Sequence, residues 1–317
     1  MKKLTISETA EFLKDNDHYC ILSHHRPDGD TVGASAALCR GLRQLGKTAH
    51  VLHNREVTPR FQWLHEGLTK ENAEEGDTIV SVDVASPNML PDAFQPLLGR
   101  ISLRIDHHSS ASSFTEAELV DSGSASCAEL TWDVLETLGV RMDEKIGEAV
   151  YVGASTDTGC FRFFNTTAHT FETAAKCVRA GARVYELNQL LFETNSLGRL
   201  QMQAWIVEHM RILRSGKMAV CAIPRAVEAQ IGVTEDDMDN ISAFPRTVAG
   251  VCMAATLREN EDGSVKLSVR TVPGYDATLV TRYFGGGGHK GAAGATIRLP
   301  LEEAAKAVAD KMLEQQP

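Results

Sequence analysis

The sequence predicts an α/β protein: an N-terminal domain with a mainly parallel sheet flanked by helices, a linker helix, and a smaller α+β C-terminal domain. Three observations carry this. Short apolar runs alternate with helical patterns through the first half, as strands joined by crossover helices do. Residues 187–214 keep a helical pattern nearly free of Gly and Pro. After Ser215-Gly216 the texture changes to strands interleaved with helices.

Taken in order, residues 19–23 (YCILS) read as a buried strand, and 31–45 as a helix stopped by Gly46. Residues 48–52 form a second strand. Residues 78–83 (TIVSVD) form a third, after the turn-like Glu75-Gly76-Asp77, and 101–105 a fourth. Helical stretches occupy 126–138, 143–155 and 167–180. In the C-terminal part, 217–223, 248–257 and 265–271 read as strands, and 276–284 and 301–315 as helices. The expected division is 1–190 for the first domain, 191–214 for the connecting helix and 215–317 for the second domain, within the roughly two domains that the length suggests.

Lys plus Arg number 32 and Asp plus Glu 42, a net charge of −10. That balance argues against non-specific binding of long duplex nucleic acid, which needs many phosphate-neutralising cations. It leaves room for a local pocket holding a short anionic substrate, above all where metal ions supply the positive charge. At 43% hydrophobic and 23% charged residues, the chain is neither disordered, collagen-like nor a coiled coil. No apolar run approaches the roughly 18 residues of a membrane helix. The opening MKKLTISETAEFLKDN meets polar residues too early for a secretory signal. Seven scattered cysteines without a CxxC pair fit reduced thiols and a cytoplasmic location.

In open α/β sheets ligands bind beyond the carboxyl ends of the strands, so the residues just past each strand are the ones to weigh. Strand 19–23 leads into His24-His25-Arg26-Pro27-Asp28-Gly29-Asp30, strand 78–82 into Asp83, and strand 101–105 into Asp106-His107-His108. The apolar helix 146–155 runs into Thr156-Asp157-Thr158-Gly159. Singly, each of these acids reads as a cap or turn residue and the His pairs as surface or core features. Together they bring carboxylates and imidazoles to one rim. That many carboxylates need cations to balance them. Asp oxygens with His nitrogens and no thiolate suit Mn, Mg or Fe, and they are numerous enough for two ions sharing a bridging carboxylate. Two ions about 3.5–4 Å apart are the usual clamp for in-line displacement at phosphorus, with hydroxide as the nucleophile.

HHRPDGD, SVD, IDHH and STDTG, in that order, resemble the signature motifs of the DHH phosphoesterase family, and GGGGHKGAAGA is similar to the glycine-rich motif of its associated C-terminal domain. The likeness covers nearly the whole chain and is greatest to the nanoRNase and pAp phosphatase subgroup, also described as exopolyphosphatase-related. It implies that His24, Asp28 and Asp83 hold one divalent ion and that Asp30, Asp83, His107 and Asp157 hold a second, Mn2+ first and Mg2+ as the alternative. Asp106 then orients a ligand by accepting an imidazole N–H. His108 contacts the phosphate or protonates the leaving oxygen, and His25 is a neighbour rather than a ligand.

For the far end of the substrate, the resemblance points to Gly286, Gly287, Gly288 and His289, on a loop whose consecutive N–H groups and His289–Lys290 side chains face an anion. A flexible linker is the plain alternative. Arg270 resembles the arginine of the family's C-terminal strand motif, although a surface strand arginine reads the same way. Arg162 is a second phosphate-directed candidate, set against a guanidinium lying over the Phe161, Phe163 and Phe164 stretch.

The expected reaction is hydrolysis of short RNA or DNA oligonucleotides to 5′-mononucleotides and of pAp to AMP and phosphate, by an enzyme without membrane attachment and, by resemblance, a homodimer. The rivals are a cyclic-dinucleotide phosphodiesterase, a pyro- or polyphosphatase, and a nucleotide sensor without turnover. A filled ligand set weighs against the last.

Overall fold

The computed structural model describes residues 2–108, 113–238 and 240–315, and the chain divides into two units between Thr194 and Asn195. The first unit has strands β1 (Lys2–Lys3), β2 (Tyr19–Leu22), β3 (Ala49–Leu52), β4 (Thr69–Lys70), β5 (Thr78–Val82), β6 (Ile101–Asp106) and β7 (Ala117–Val120). Its helices are α1 (Ile6–Asp15), α2 (Gly29–Gln44), α3 (Pro59–Gln62), α4 (Cys127–Thr137), α5 (Glu144–Asp157), α6 (Ala168–Ala180) and α7 (Val184–Asn188). The strand order is β1-β7-β6-β5-β2-β3-β4, and every neighbouring pair is parallel.

β2 and β3 are buried over their whole length. This is why β2 reads as an unbroken apolar run, and β3 as one interrupted only at His50, rather than as alternating strands. Alternation nonetheless assigns their side chains to opposite faces. Tyr19, Ile21, Val51 and Val80 join Val32 and Leu38 of α2 and Val134 of α4 in the larger core. Cys20, Leu22, Leu52 and Ile79 join a smaller core closed by Leu90 and Phe94. The chain leaves β2 outward to β3 and β4, then returns to the other flank of β2 as β5. Strand order reverses between β2 and β5, the place where such sheets open a crevice beyond their carboxyl ends.

Two helices are positioned by this crevice. α2 starts at Asp28, whose side chain accepts the N–H groups of Asp30 and Thr31, a conventional acidic N-cap. α5 is buried from Ile146 to Ser155 and lies close against α2 through glycines. A Cβ on Gly33 would sit 2.3 Å from the Ala149 carbonyl oxygen, and one on Gly153 would sit 2.8 Å from Asp30 Oδ1 of α2.

The second unit contains α8 (Leu197–His209), β8 (Arg211–Leu213), β9 (Met218–Ile223), α9 (Arg225–Ile231), β10 (Met253–Glu259), β11 (Val265–Thr271), α10 (Ala277–Thr281), β12 (Gly287–His289), β13 (Ala292–Ile297) and α11 (Leu301–Leu313). Its sheet runs β12-β13-β11-β10-β9-β8, with β9 and β10 parallel and the other pairs antiparallel.

Three expectations about elements differ from what is observed. Residues 191–214 are not one helix. A π-type turn (Gln189–Glu193) precedes α8, and β8 comes after it; Ser196 caps a new helix here by accepting the Arg199 N–H. The strand expected from residue 248 begins at Met253, because a 3-10 turn over Ile241–Thr247 and a left-handed Gly250 precede it. β7 also lies beyond the sequence expectation, since Glu118 interrupts its apolar pattern. The structure buries Glu118 against Arg104, with Oε2 2.6 Å from the guanidinium. Among the described residues no helix is long and apolar enough to cross a membrane, and all seven cysteines are free.

Candidate metal centre

Seven of the sequence-predicted residues converge at the crevice between β2 and β5. Asp83 is its hub. It stands just past β5 with φ +59°, a left-handed conformation that few non-glycine residues adopt, and its N–H donates to the Ile105 carbonyl at 2.9 Å. The turn points a 2%-exposed carboxylate back over the strand ends. Oδ2 accepts a 2.6 Å hydrogen bond from Thr31 Oγ1 and lies 3.5 Å from His24 Nε2. Oδ1 lies 3.5 Å from both His107 Nε2 and His108 Nδ1, and it has no hydrogen-bond partner although buried.

The two oxygens therefore face different donor sets. His24, Asp28 and Asp83 form one group whose ligand atoms all lie within 4.8 Å of one another; Asp30, His107 and Asp157 form another, and Asp83, His107 and His108 a third. His107 Nε2 is 3.7 Å from Asp30 Oδ2 and 3.7 Å from Asp157 Oδ2.

Each donor is aimed by its surroundings. His24 Nδ1 is 2.7 Å from the His25 carbonyl, which leaves Nε2 for the centre. Asn54 holds that segment through Ser23 Oγ and the His24 carbonyl. His107 Nδ1 sits 3.3 Å from the Ser124 carbonyl. Asp30 is fully buried, and its two oxygens accept the Cys127 and Ala128 N–H groups at 2.7 and 2.9 Å, in the first turn of α4. Asp157 stands in the last turn of α5, so it comes from a helix end where the other donors succeed strands or open α2.

The charges are badly matched without cations. Burial, then Asp83, Asp157 and Asp28, push the Asp30 carboxyl well above its ordinary range. Burial, then Asp28 and Asp83, push Asp157 up to about 8. Burial opposes protonation of His24, yet its hydrogen bond to Asp83 and the charges of Asp28 and Asp83 raise it to about 9. Asp83 is lowered despite burial, because His24, His107 and His108 surround it. Oxygen and imidazole donors, a buried carboxylate oxygen without a partner, and carboxyls that hold protons for want of cations together fit hard divalent ions.

Asp106 differs from its expected use. Its Oδ1 accepts the imidazole N–H of His108 at 2.8 Å and the backbone N–H of His107 at 2.9 Å. The imidazole it orients is thus His108, outside the two expected ligand sets. His25 turns its Nδ1 to the Met89 carbonyl, 2.9 Å away. Arg162 is exposed, and its Nε is 2.5 Å from the Gly159 carbonyl. Thr31, Asn54, the Ser124 carbonyl and the α4 amides escape sequence reading: the last two are backbone groups, which any residue supplies, and the first two are common polar side chains placed by the fold.

In the second unit Arg270, Ala292 and His289 are register partners across β11, β13 and β12. Arg270 and His289 therefore share one face of the sheet, two strands apart. Burial, then Arg246, lowers the Arg270 guanidinium, so two cations lie near each other here. The expected glycine loop is in part the edge strand β12. Gly288 has φ +135°, and a Cβ there would come 2.6 Å from Ala293 Cα; a Cβ on Gly286 would come 2.1 Å from the Gly294 carbonyl oxygen. Glycine is required because β12 lies flush on β13.

Residues 18–154 match the DHH family, N-terminal domain, and residues 215–315 match the DHHA1 domain. With a relative 33% identical along nearly all of its length, the chain belongs to the DHH family of metal-dependent phosphoesterases. That relative is the bifunctional oligoribonuclease and PAP phosphatase NrnA of Thermus thermophilus, aligned over 93% of this chain and 89% of its own. The Bacillus subtilis protein of the same name is 25% identical over 90% of this chain and 91% of its own. A solved exopolyphosphatase-related protein from Bacteroides fragilis shares the fold, with TM-score 0.84, 21% identity and coverage of 98% of this chain and 95% of that one.

Proposed function

We propose that this protein is a phosphoesterase that hydrolyses short oligonucleotides to 5′-mononucleotides and pAp to AMP and phosphate, using two divalent ions, Mn2+ foremost. The observation that carries the proposal is Asp83, whose two buried oxygens face separate His and Asp sets. The names of the relatives supply the substrate class.

His24, Asp28 and Asp83 would hold one ion, and Asp30, Asp83, His107 and Asp157 the other. When bound, such ions supply charge against the phosphate and an acidified water as nucleophile. The chain's own residues do the rest. Asp106 fixes His108 with Nδ1 as the donor and leaves Nε2 for the substrate. Burial works against the charged ring, but Asp106 and Asp83 raise it to about 9. In the metal-free centre His108 thus holds its proton at neutral pH, and its Nε2 is placed to donate a proton to the leaving oxygen. The α4 amides keep Asp30 in place as charge shifts. Arg270 and His289 form a row suited to a second phosphate or a terminal nucleotide, with Arg162 as a further phosphate contact. The cysteine usage supports a cytoplasmic location for the enzyme.

The test is product analysis on pAp, a dinucleotide, a five-nucleotide RNA, a cyclic dinucleotide and pyrophosphate, each with Mn2+ and with Mg2+. AMP plus phosphate from pAp and 5′-mononucleotides from the dinucleotide are expected. Protein with Mn2+ that leaves both intact would falsify the proposal.

A further inference from the structure

We propose a second metal site at the amino end of the first unit's sheet, formed by Cys20, His50 and Asp77 and selective for a thiolate-seeking divalent ion such as Zn2+. Cys20 of β2 is the register partner of His50 on β3 and of Ile79 on β5. Register partners share a face, and Asp77 lies two residues before Ile79, so alternation puts all three side chains on the same side. One ligand atom from each lies within 4.8 Å of the others. His50 Nε2 is 3.6 Å from Asp77 Oδ2, matching the separation of about 3.5 Å between ligand atoms on a tetrahedral zinc.

The imidazole itself calls for a ligand. His50 is 1% exposed, and neither ring nitrogen has a hydrogen-bond partner. Buried polar groups are normally satisfied, and the Cys20 thiol and the Asp77 carboxylate each set a ligand atom within 4.8 Å of the ring. Asp77 is held by a turn in which Oδ2 accepts the Glu74 N–H at 2.7 Å. A thiolate, a carboxylate and a neutral imidazole together cancel a divalent charge, so the loaded site adds no net charge to the core. The sulfur selects against Mn2+ and Mg2+, which favour the all-oxygen and imidazole donors around Asp83. Asp77 and Asp83 bracket β5, so the two sites stand about 20 Å apart. The ion would pin three adjacent strands.

The test is titration of the full-length, chelator-stripped protein with Co2+, followed by absorption and by bound-metal stoichiometry. A thiolate-to-cobalt charge-transfer band is expected, its full amplitude accounting for one of the bound equivalents. It should vanish in Cys20→Ser, together with that equivalent and with the part of the Zn2+-induced rise in melting temperature that Asp83→Ala retains. Asp77→Asn, which keeps an acceptor for the Glu74 N–H, should weaken binding at least tenfold. Cys127→Ser and Asp83→Ala should leave the band intact. Absence of the band in folded wild-type protein, its survival in Cys20→Ser, or its loss in Cys127→Ser or Asp83→Ala overturns the proposal. None of these readouts depends on phosphoester hydrolysis.

Discussion

At the residue scale, Asp83 joins an uncommon backbone conformation to a divided carboxylate. Asparagine tolerates left-handed φ, so Asp83→Asn keeps the turn while removing the charge shared by both donor sets. Turnover should fall by at least about a thousandfold, with loss of bound Mn2+ in metal analysis and little change in the folded circular dichroism spectrum. Asp106 offers a subtler test. Its carboxylate helps to raise His108 to about 9, and an acid with a raised pKa keeps its proton to higher pH. Asp106→Asn should therefore lower kcat and move the alkaline limb of the pH–rate profile to lower pH. An unmoved limb would remove His108 as the proton donor. His289→Ala, by contrast, should raise KM with kcat nearly unchanged, because that side chain lies on the second unit's sheet and outside the group of acids around Asp83.

At the element scale, the α2–α5 crossing holds Asp30 and Asp157 in register, and it depends on two absent side chains. Gly33→Ala would drive a methyl to 2.3 Å from the Ala149 carbonyl oxygen. It should destabilise the fold by about 1–3 kcal/mol in urea unfolding and weaken metal binding with it. Much of this architecture is legible in the residues alone. β2, β3 and β5 announce themselves as buried apolar runs, and the acids and imidazoles just past them carry the candidate centre. Asp157 is legible only as the sequel to an apolar helix, since nothing local says which way a helix end faces. β7 is hidden by Glu118, whose partner Arg104 lies on a different strand. Thr31 and the α4 amides are invisible for a simpler reason: their contribution is positional, and neighbouring sequences contain many such groups. In the second unit, a glycine-rich run reads as a loop, while its real constraint is backbone lying against backbone at Gly286 and Gly288.

At the scale of the whole molecule, the crowded acids couple metal binding to stability. In metal-free protein, Asp157 at about 8 and His24 at about 9 bind protons more tightly folded than unfolded. The stability they contribute is present at low pH and is lost as pH rises, through about 4 to 8 for Asp157 and about 6.5 to 9 for His24. Asp83, shifted downward, has the opposite sign, but its window lies below its ordinary carboxylate value, in more acidic solution. The melting temperature of the metal-free protein should thus decline between about pH 6 and 9, and the rise on adding Mn2+ should grow over the same interval. A metal-induced shift that is flat with pH would mean the ions bind elsewhere. The first unit's sheet, finally, begins and ends on β1 and β4, each only two residues long. Exposed strand margins are templates for fibrillar stacking, and margins this brief offer an incoming chain almost no ladder to extend. Strand addition between copies through that sheet is thereby limited to two residues at either margin.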